Sequence, residues 1–269
     1  MDIEILIRFK QRFDNFNQQH SFVIFQWSTN KNKLSALPES SRNIRLLLRS
    51  LMVPVILTSD VLAKVIKKTA VGSKIVDLCA FGDNQIYEEL GKVYNKKNMF
   101  KGLALPTCIS INEICAYNSP QPEDTTAIKE GDLVKIELGA HVDGYPGLVA
   151  HSFVVQSNAK EAATGKKADV ILAAYKATQA ALRVIKPGNT NTQVTEIIQK
   201  VSDSYKVNPV EGAISHEIKK HLIDGNKIII NKETFEQRAE EFEFNVHDVF
   251  ALDIFVSSGE GKLKEVVSF

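Results

Sequence analysis

Residues 131–153, GDLVKIELGAHVDGYPGLVAHSF, constrain the fold of this chain more than any other stretch. Two apolar runs flank Asp143-Gly144, and Asp-Gly is a pair that two-residue hairpin turns favour, because both turn positions take positive φ. EGDLVKIELGAHVDG and VAHSFVVQ are therefore expected as strands joined by this turn, with Asp143 serving the turn itself. A carboxylate, Glu137, sits inside the first apolar run. In a hydrolase, acidic groups on such a hairpin hold metal.

The segments around the hairpin alternate in blocks. TSDVLAKVIKKTAVG predicts a short amphipathic helix opening at Thr58, with Val61, Leu62, Val65 and Ile66 on one face and a stop at Gly72. SKIVDLCAFGDNQIYEELGKVY predicts a second helix, and LALPTCISIN a strand. GKKADVILAAYKATQAALRVIKPG is the strongest helix pattern. Ala173, Ala174, Ala177, Ala180 and Ala181 give it a small-residue face, and Lys-Pro-Gly ends it. NTNTQVTEIIQKVSDSY predicts a Thr/Asn-capped helix, and NKIIIN and HDVFALDIFVSSGEG predict strands. The fold class is α+β, with helices laid against a curved antiparallel sheet. Residues 1–52, rich in Asn, Gln and Ser and without clean periodicity, are expected as a weakly structured extension before a domain over 53–269.

Bulk properties narrow the function. With 269 residues, 44% apolar and 24% charged, the chain has ample core for a globular fold. A net charge of +1 excludes a strongly basic nucleic-acid binder as a whole-chain property, so any such surface is a local patch. Cys79, Cys108 and Cys115 form no C-x-x-C pair, which argues against a disulfide framework or a structural zinc site and fits a reducing compartment. No apolar run reaches the roughly 20 residues that span a bilayer. The opening MDIEILIRFKQRF is broken by charges too often for a signal peptide, so a soluble intracellular protein without membrane insertion is expected.

ALPTCISINEICAYNSP, the hairpin stretch, VIKPGNTNTQVTEIIQKV, VEGAISHEIKKHLIDGNKIII and VHDVFALDIFVSSGEGK follow one another in an order and at distances that resemble a known family. It is that of the proliferation-associated (ErbB-3 receptor-binding) proteins, non-catalytic relatives of type 2 methionine aminopeptidase. The resemblance runs from about residue 57 to residue 264. It implies the pita-bread fold, here with its second half incomplete, since the ending LKEVVSF does not resemble a designed terminus.

Aminopeptidases of this fold hold two divalent ions with two Asp on the hairpin, one His, and two Glu on later strands. Bridging carboxylates let the ions share a water and lower its pKa. Carried over residue by residue, the first Asp falls on Glu137, the second on Leu148, the His on His216 and the first Glu on Asp253. The second Glu lies downstream of VSSGEGK. Glu137 and Asp253 keep an oxygen donor but displace it by one methylene, roughly 1.5 Å, where ligand distances tolerate about 0.2 Å. Leu148 has no lone pair to give. The family's substrate-orienting histidines are replaced by Tyr117 and Asp224. The resemblance thus implies a vestigial pocket of Tyr117, Glu137, His216, Asp224 and Asp253, with no catalytic residue, metal or other cofactor. Asp253, inside an apolar run, wants a partner if buried, and His216 is the candidate. His221, five residues on, does not share the helical face of His216 and is expected at the surface. His141 and His151 receive no role.

By the same resemblance the chain is a regulator that binds RNA, ribosomes and pre-ribosomal particles, with regulatory protein partners, in growth and transcription control. Its location would be cytoplasmic and nuclear or nucleolar. Lys64, Lys67 and Lys68 are the candidate RNA contacts, with added charge at Lys96-Lys97, Lys166-Lys167 and Lys219-Lys220. The lysine-rich region that family members carry further downstream lies beyond Phe269. A divergent metallo-aminopeptidase, with one zinc on Glu137, His216 and Asp253, and a truncated product of little independent function are the alternatives.

Overall fold

The Asp143-Gly144 turn forms as its composition dictates. Asp143 has φ 54° and Gly144 φ 77°, the signs of a two-residue hairpin turn, and Val142 and Tyr145 close the ladder on either side. The computed structural model describes residues 42–95, 98–158, 162–246 and 248–264. Contacts divide them into two units, one drawn from residues 42–158 and 219–223, the other from 162–218 and 224–264.

In the first unit, β1 (Lys101–Ile111), β2 (Leu133–Val142) and β3 (Tyr145–Val154) form an antiparallel sheet in the order β1-β2-β3. Strand alternation sends Val134, Ile136, Leu138 and Ala140 to one face, where each is fully buried. That face packs with helices α1 (Arg42–Lys68) and α2 (Ile75–Leu90) through Val55, Val61, Leu62, Val65, Ile75, Leu78 and Ile86. Two glycines set how closely the helices approach. A Cβ on Gly147 of β3 would run into the α1 backbone, 2.6 Å from the Pro54 carbonyl carbon, and one on Gly82 of α2 would overlap Thr107 of β1.

In the second unit, α3 (Lys166–Val184) and α4 (Asn191–Ser204) pack together, with Ala173, Ala177 and Ala181 buried on α3 and Val194 and Ile198 on α4. Two short antiparallel ladders accompany them. In one, β5 (Ile214–Glu217) lies between β6 (Ile228–Ile230) and β7 (Phe250–Ala251); in the other, β4 (Asn208–Pro209) pairs with β8 (Val256–Ser257).

Among the described residues every ladder is antiparallel and the helices are separate blocks, so the α+β class holds. Three local expectations are corrected. The first helix begins at Arg42 rather than Thr58 and runs through Pro54, so the boundary drawn at residue 52 falls inside α1. Thr58 and Ser59 do not cap a helix start; their hydroxyls donate back to the carbonyls of Pro54 and Val55 at 2.7–3.0 Å. His216 lies on a strand, not a helix. Residues 1–41 of the expected extension lie outside the described residues.

Candidate functional site

Glu137 is on β2, 9% exposed, paired across the sheet with Cys108 of β1 and Ala150 of β3. Burial pushes the Cys108 thiol up to about 12, with the Glu137 charge adding to it. Burial likewise raises Cys79 to about 12 and raises Cys115, where Lys135 opposes the shift. These thiols are held protonated.

Leu148 of β3 stands directly opposite Gly139. Residues 137 and 139 share a sheet face, and cross-strand partners share a face, so Leu148 lies on the Glu137 side. Its Cδ2 fills the space that a Cβ on Gly139 would need, and Leu105 Cβ lies 3.2 Å from the same point. The position where the resemblance expects a second hairpin carboxylate is occupied by packed hydrocarbon.

Tyr117 is 64% exposed on the β1–β2 connection, with a left-handed φ of 61°. Its neighbour Asn118 staples that loop to β1. The side-chain amide of Asn118 donates to Ile109 O at 2.8 Å, and the Asn118 carbonyl accepts from Ile109 N–H at 2.8 Å.

In the second unit, β5 buries His216 and brings two carboxylates to its ring. Nδ1 is 3.4 Å from Asp224 Oδ1 and Nε2 is 3.7 Å from Asp253 Oδ2, an electrostatic pairing beyond good hydrogen-bond length. Asp253 is fixed by its own N–H, which donates to Ser215 Oγ at 2.8 Å. The Asp224 side chain is 80% exposed and that of Asp253 26%. Hence Glu137 and Leu148 come together in one unit, and His216, Asp224 and Asp253 in the other. Among the described residues no group of three or more His, Cys, Asp or Glu is arranged to hold a metal ion.

The candidate RNA lysines differ in their engagements. Lys64 Nζ donates to Gln85 Oε1 at 2.8 Å and Glu89 Oε1 at 2.7 Å, and Lys92 reaches the same carboxylate at 2.9 Å. Those bonds hold the Glu89 carboxyl below its usual range. Lys68 Nζ lies 4.0 Å above the Phe81 ring, and both Lys67 and Lys68 are exposed. Lys166 and Lys167 begin α3, and Lys96-Lys97 lie outside the described residues.

Sequence reasoning missed a contact on the hairpin turn. Lys220 Nζ bonds Asp143 Oδ2 at 2.9 Å and lies 5.3 Å from the Tyr145 ring centroid, while His221 N–H donates to Gly144 O at 2.7 Å. Asp143 serves the turn and also receives this loop. A separation of 77 residues leaves no local signal for such a pair.

The sequence pattern of metallopeptidase family M24 matches residues 55–254. The chain is 44% identical over 211 residues to proliferation-associated protein A of Dictyostelium discoideum, covering 78% of this chain and 55% of that protein. It is 44% identical over 194 residues to ERBB-3 binding protein 1 of Arabidopsis thaliana, covering 71% and 49%. The chain thus spans about half the length of the curated relatives it matches. Among solved structures, a thermophilic Arx1 superposes with a TM-score of 0.75 at 29% identity, over 83% of this chain and 66% of that one. No helix among the described residues is long and apolar enough to cross a membrane. The resemblance carried by the hairpin, KPGNTNTQVTE and VSSGEGK is borne out, as is the pita-bread fold, and this chain belongs to metallopeptidase family M24.

Proposed function

We propose that this chain is a non-catalytic member of its family, a regulator with a methionine-aminopeptidase-like fold that acts by binding macromolecules. One observation carries the reading: at the second hairpin ligand position, Leu148 is a hydrocarbon packed against Gly139 and Leu105. A shared hydroxide between two ions needs bridging carboxylates, and an alkyl group offers none. The remaining donors do not fit the metal pair either. Glu137 and Asp253 are each one methylene from the expected length, and the His216 ring is flanked by Asp224 and Asp253. His216 and Asp253 are then a polar pair that satisfies a buried ring rather than a coordination shell.

RNA, ribosomes and pre-ribosomal particles are the partners that the resemblance to the proliferation-associated proteins implies, in cytoplasm and nucleus or nucleolus. Arabidopsis ERBB-3 binding protein 1 carries a protein partner in its name, which supports regulatory protein partners beside RNA. The test pairs metal analysis of the purified full chain with cleavage of Met-peptides and co-sedimentation with ribosomal subunits. Co-sedimentation without stoichiometric metal and without methionine release is expected. One equivalent of tightly held Zn, Co or Mn together with turnover would overturn the assignment.

A further inference from the structure

We infer that the loop joining β6 to β7 is a protein-docking element that presents Phe235 to a basic partner surface with an apolar socket. Phe235 is 91% exposed, the most exposed large apolar side chain among the described residues. The aromatic needs of its own loop are met without it. Phe242, Phe244 and Phe250 form a cluster with ring centroids 5.4–5.9 Å apart. Phe235 contributes nothing to that core, so an aromatic here serves something outside the fold.

The turn that carries it is fixed on both sides. Thr234 N–H donates to Gln237 O at 3.1 Å, and Gln237 N–H donates back to Thr234 Oγ1 at 3.0 Å. Gln237 Oε1 accepts from Gly212 N–H at 2.9 Å, and Lys232 upstream bonds Glu211 at 2.8 Å. Downstream, buried Asn191 donates to Glu240 O at 3.0 Å and accepts from Phe242 N–H at 3.1 Å. An aromatic anchor presented on a pinned turn loses little conformational freedom when it docks, which is how interface hot spots gain affinity. Leu263, 49% exposed, comes within 3.8 Å of the Cβ position on Gly212, so a second apolar side chain borders the point where the turn is pinned.

Charge selects the partner class. Glu233, Glu236, Glu240 and Glu241 are exposed on the loop that carries Phe235. Two cations of the loop are already opposed, Lys232 by Glu211 and Arg238 by Glu233 at 3.6 Å. Such a rim repels nucleic-acid phosphates and complements lysine and arginine on a protein. The inference does not rest on the loss of ligands at the hairpin.

The test uses the isotope-labelled full chain and three short peptides, one alternating Lys with Leu, one Lys with Ser and one Glu with Leu. The Lys/Leu peptide is expected to shift the amide resonances of residues 233–237 and to bind at least about tenfold more weakly to Phe235→Ser, the loss typical of a truncated hot spot. Because Phe235 is exposed, that variant keeps the wild-type melting curve, and a Glu236→Lys/Glu240→Lys variant separates charge from packing. Equal binding of the Glu/Leu peptide, unchanged affinity in Phe235→Ser, absence of binding, or displacement of the same resonances by oligonucleotide RNA would each overturn the inference.

Discussion

A single side chain decides more about chemistry here than the acids that first attract attention. Leu148 withholds a lone pair and also fills the surface over Gly139 on which a ligand would have to stand. A carboxylate placed there by mutation would meet hydrocarbon from Leu105, so its desolvation would oppose recovery of a metal ion. On the neighbouring strand β2, His141 is expected to make the fold sensitive to acid. Its ring lies 4.7 Å from that of Phe100, and its Nδ1 is buried with no hydrogen-bond partner among the described residues. Burial, and then the neighbouring His221 charge, lower its pKa. A depressed histidine pKa means that the unfolded chain binds the proton more readily, so stability rises with pH through this window. The contribution is complete above the unfolded value of about 6.5 and is lost as pH falls below it. Urea midpoints should therefore fall between about pH 7.5 and 5.5, and the fall should be shallower in His141→Gln. An equally steep fall in the variant would place the sensitivity elsewhere.

At the scale of elements, what was legible followed local chemistry. Asp143-Gly144, the alanine face of α3 and the Thr190 side of α4 were all read correctly, because turns, small-residue faces and caps are decided within a few residues. The failures were decided at a distance. Pro54 and the Thr58-Ser59-Asp60 run look like a helix boundary, yet packing of Gly147 against Pro54 and Val55 holds α1 through them. The strand around His216 exists only because Ile214 pairs with Ile230 and His216 with Ala251. Tyr117 and Asp224 were placed by resemblance alone, and no local pattern announces the exposed backbone on which each sits. Asn191 belongs to the same class. Fully buried at the start of α4, its side chain bonds Ile228 O, Glu240 O and Phe242 N at 3.0–3.1 Å. Asn191→Ala strands three buried or half-buried backbone groups, at about 1–3 kcal/mol for each that finds no water. Loss of about 2–4 kcal/mol by urea unfolding with unchanged slope is expected, against under about 1 kcal/mol for Thr192→Ala, whose bond to Glu241 is exposed. Equal losses would show that the loop does not hang on Asn191.

For the molecule as a whole, charge bounds what RNA binding can look like. Lys and Arg number 33 against 32 Asp and Glu, so no long-range field draws in a polyanion. The helix cluster offers less than its three lysines suggest, since Lys64 is held by Gln85 and Glu89 and Lys68 lies over Phe81. Lys67 is exposed and makes no such contact among the described residues. Each phosphate neutralised releases counterions and adds a little under one to the slope of log affinity against log salt. A structured RNA measured by filter binding between 50 and 200 mM salt should therefore give a slope of no more than about 3. Lys67→Glu should weaken binding without affecting the fold. Lys64→Glu should act mainly on stability, because it sets two carboxylates against one another where Glu89 is now held by Lys64 at 2.7 Å. A slope of about 6 to 10 would mean an extensive phosphate track instead. The engaged lysines would then have to leave their partners to build it, and the loss of the Lys64–Glu89 bond on RNA binding would be visible in the lysine side-chain resonances.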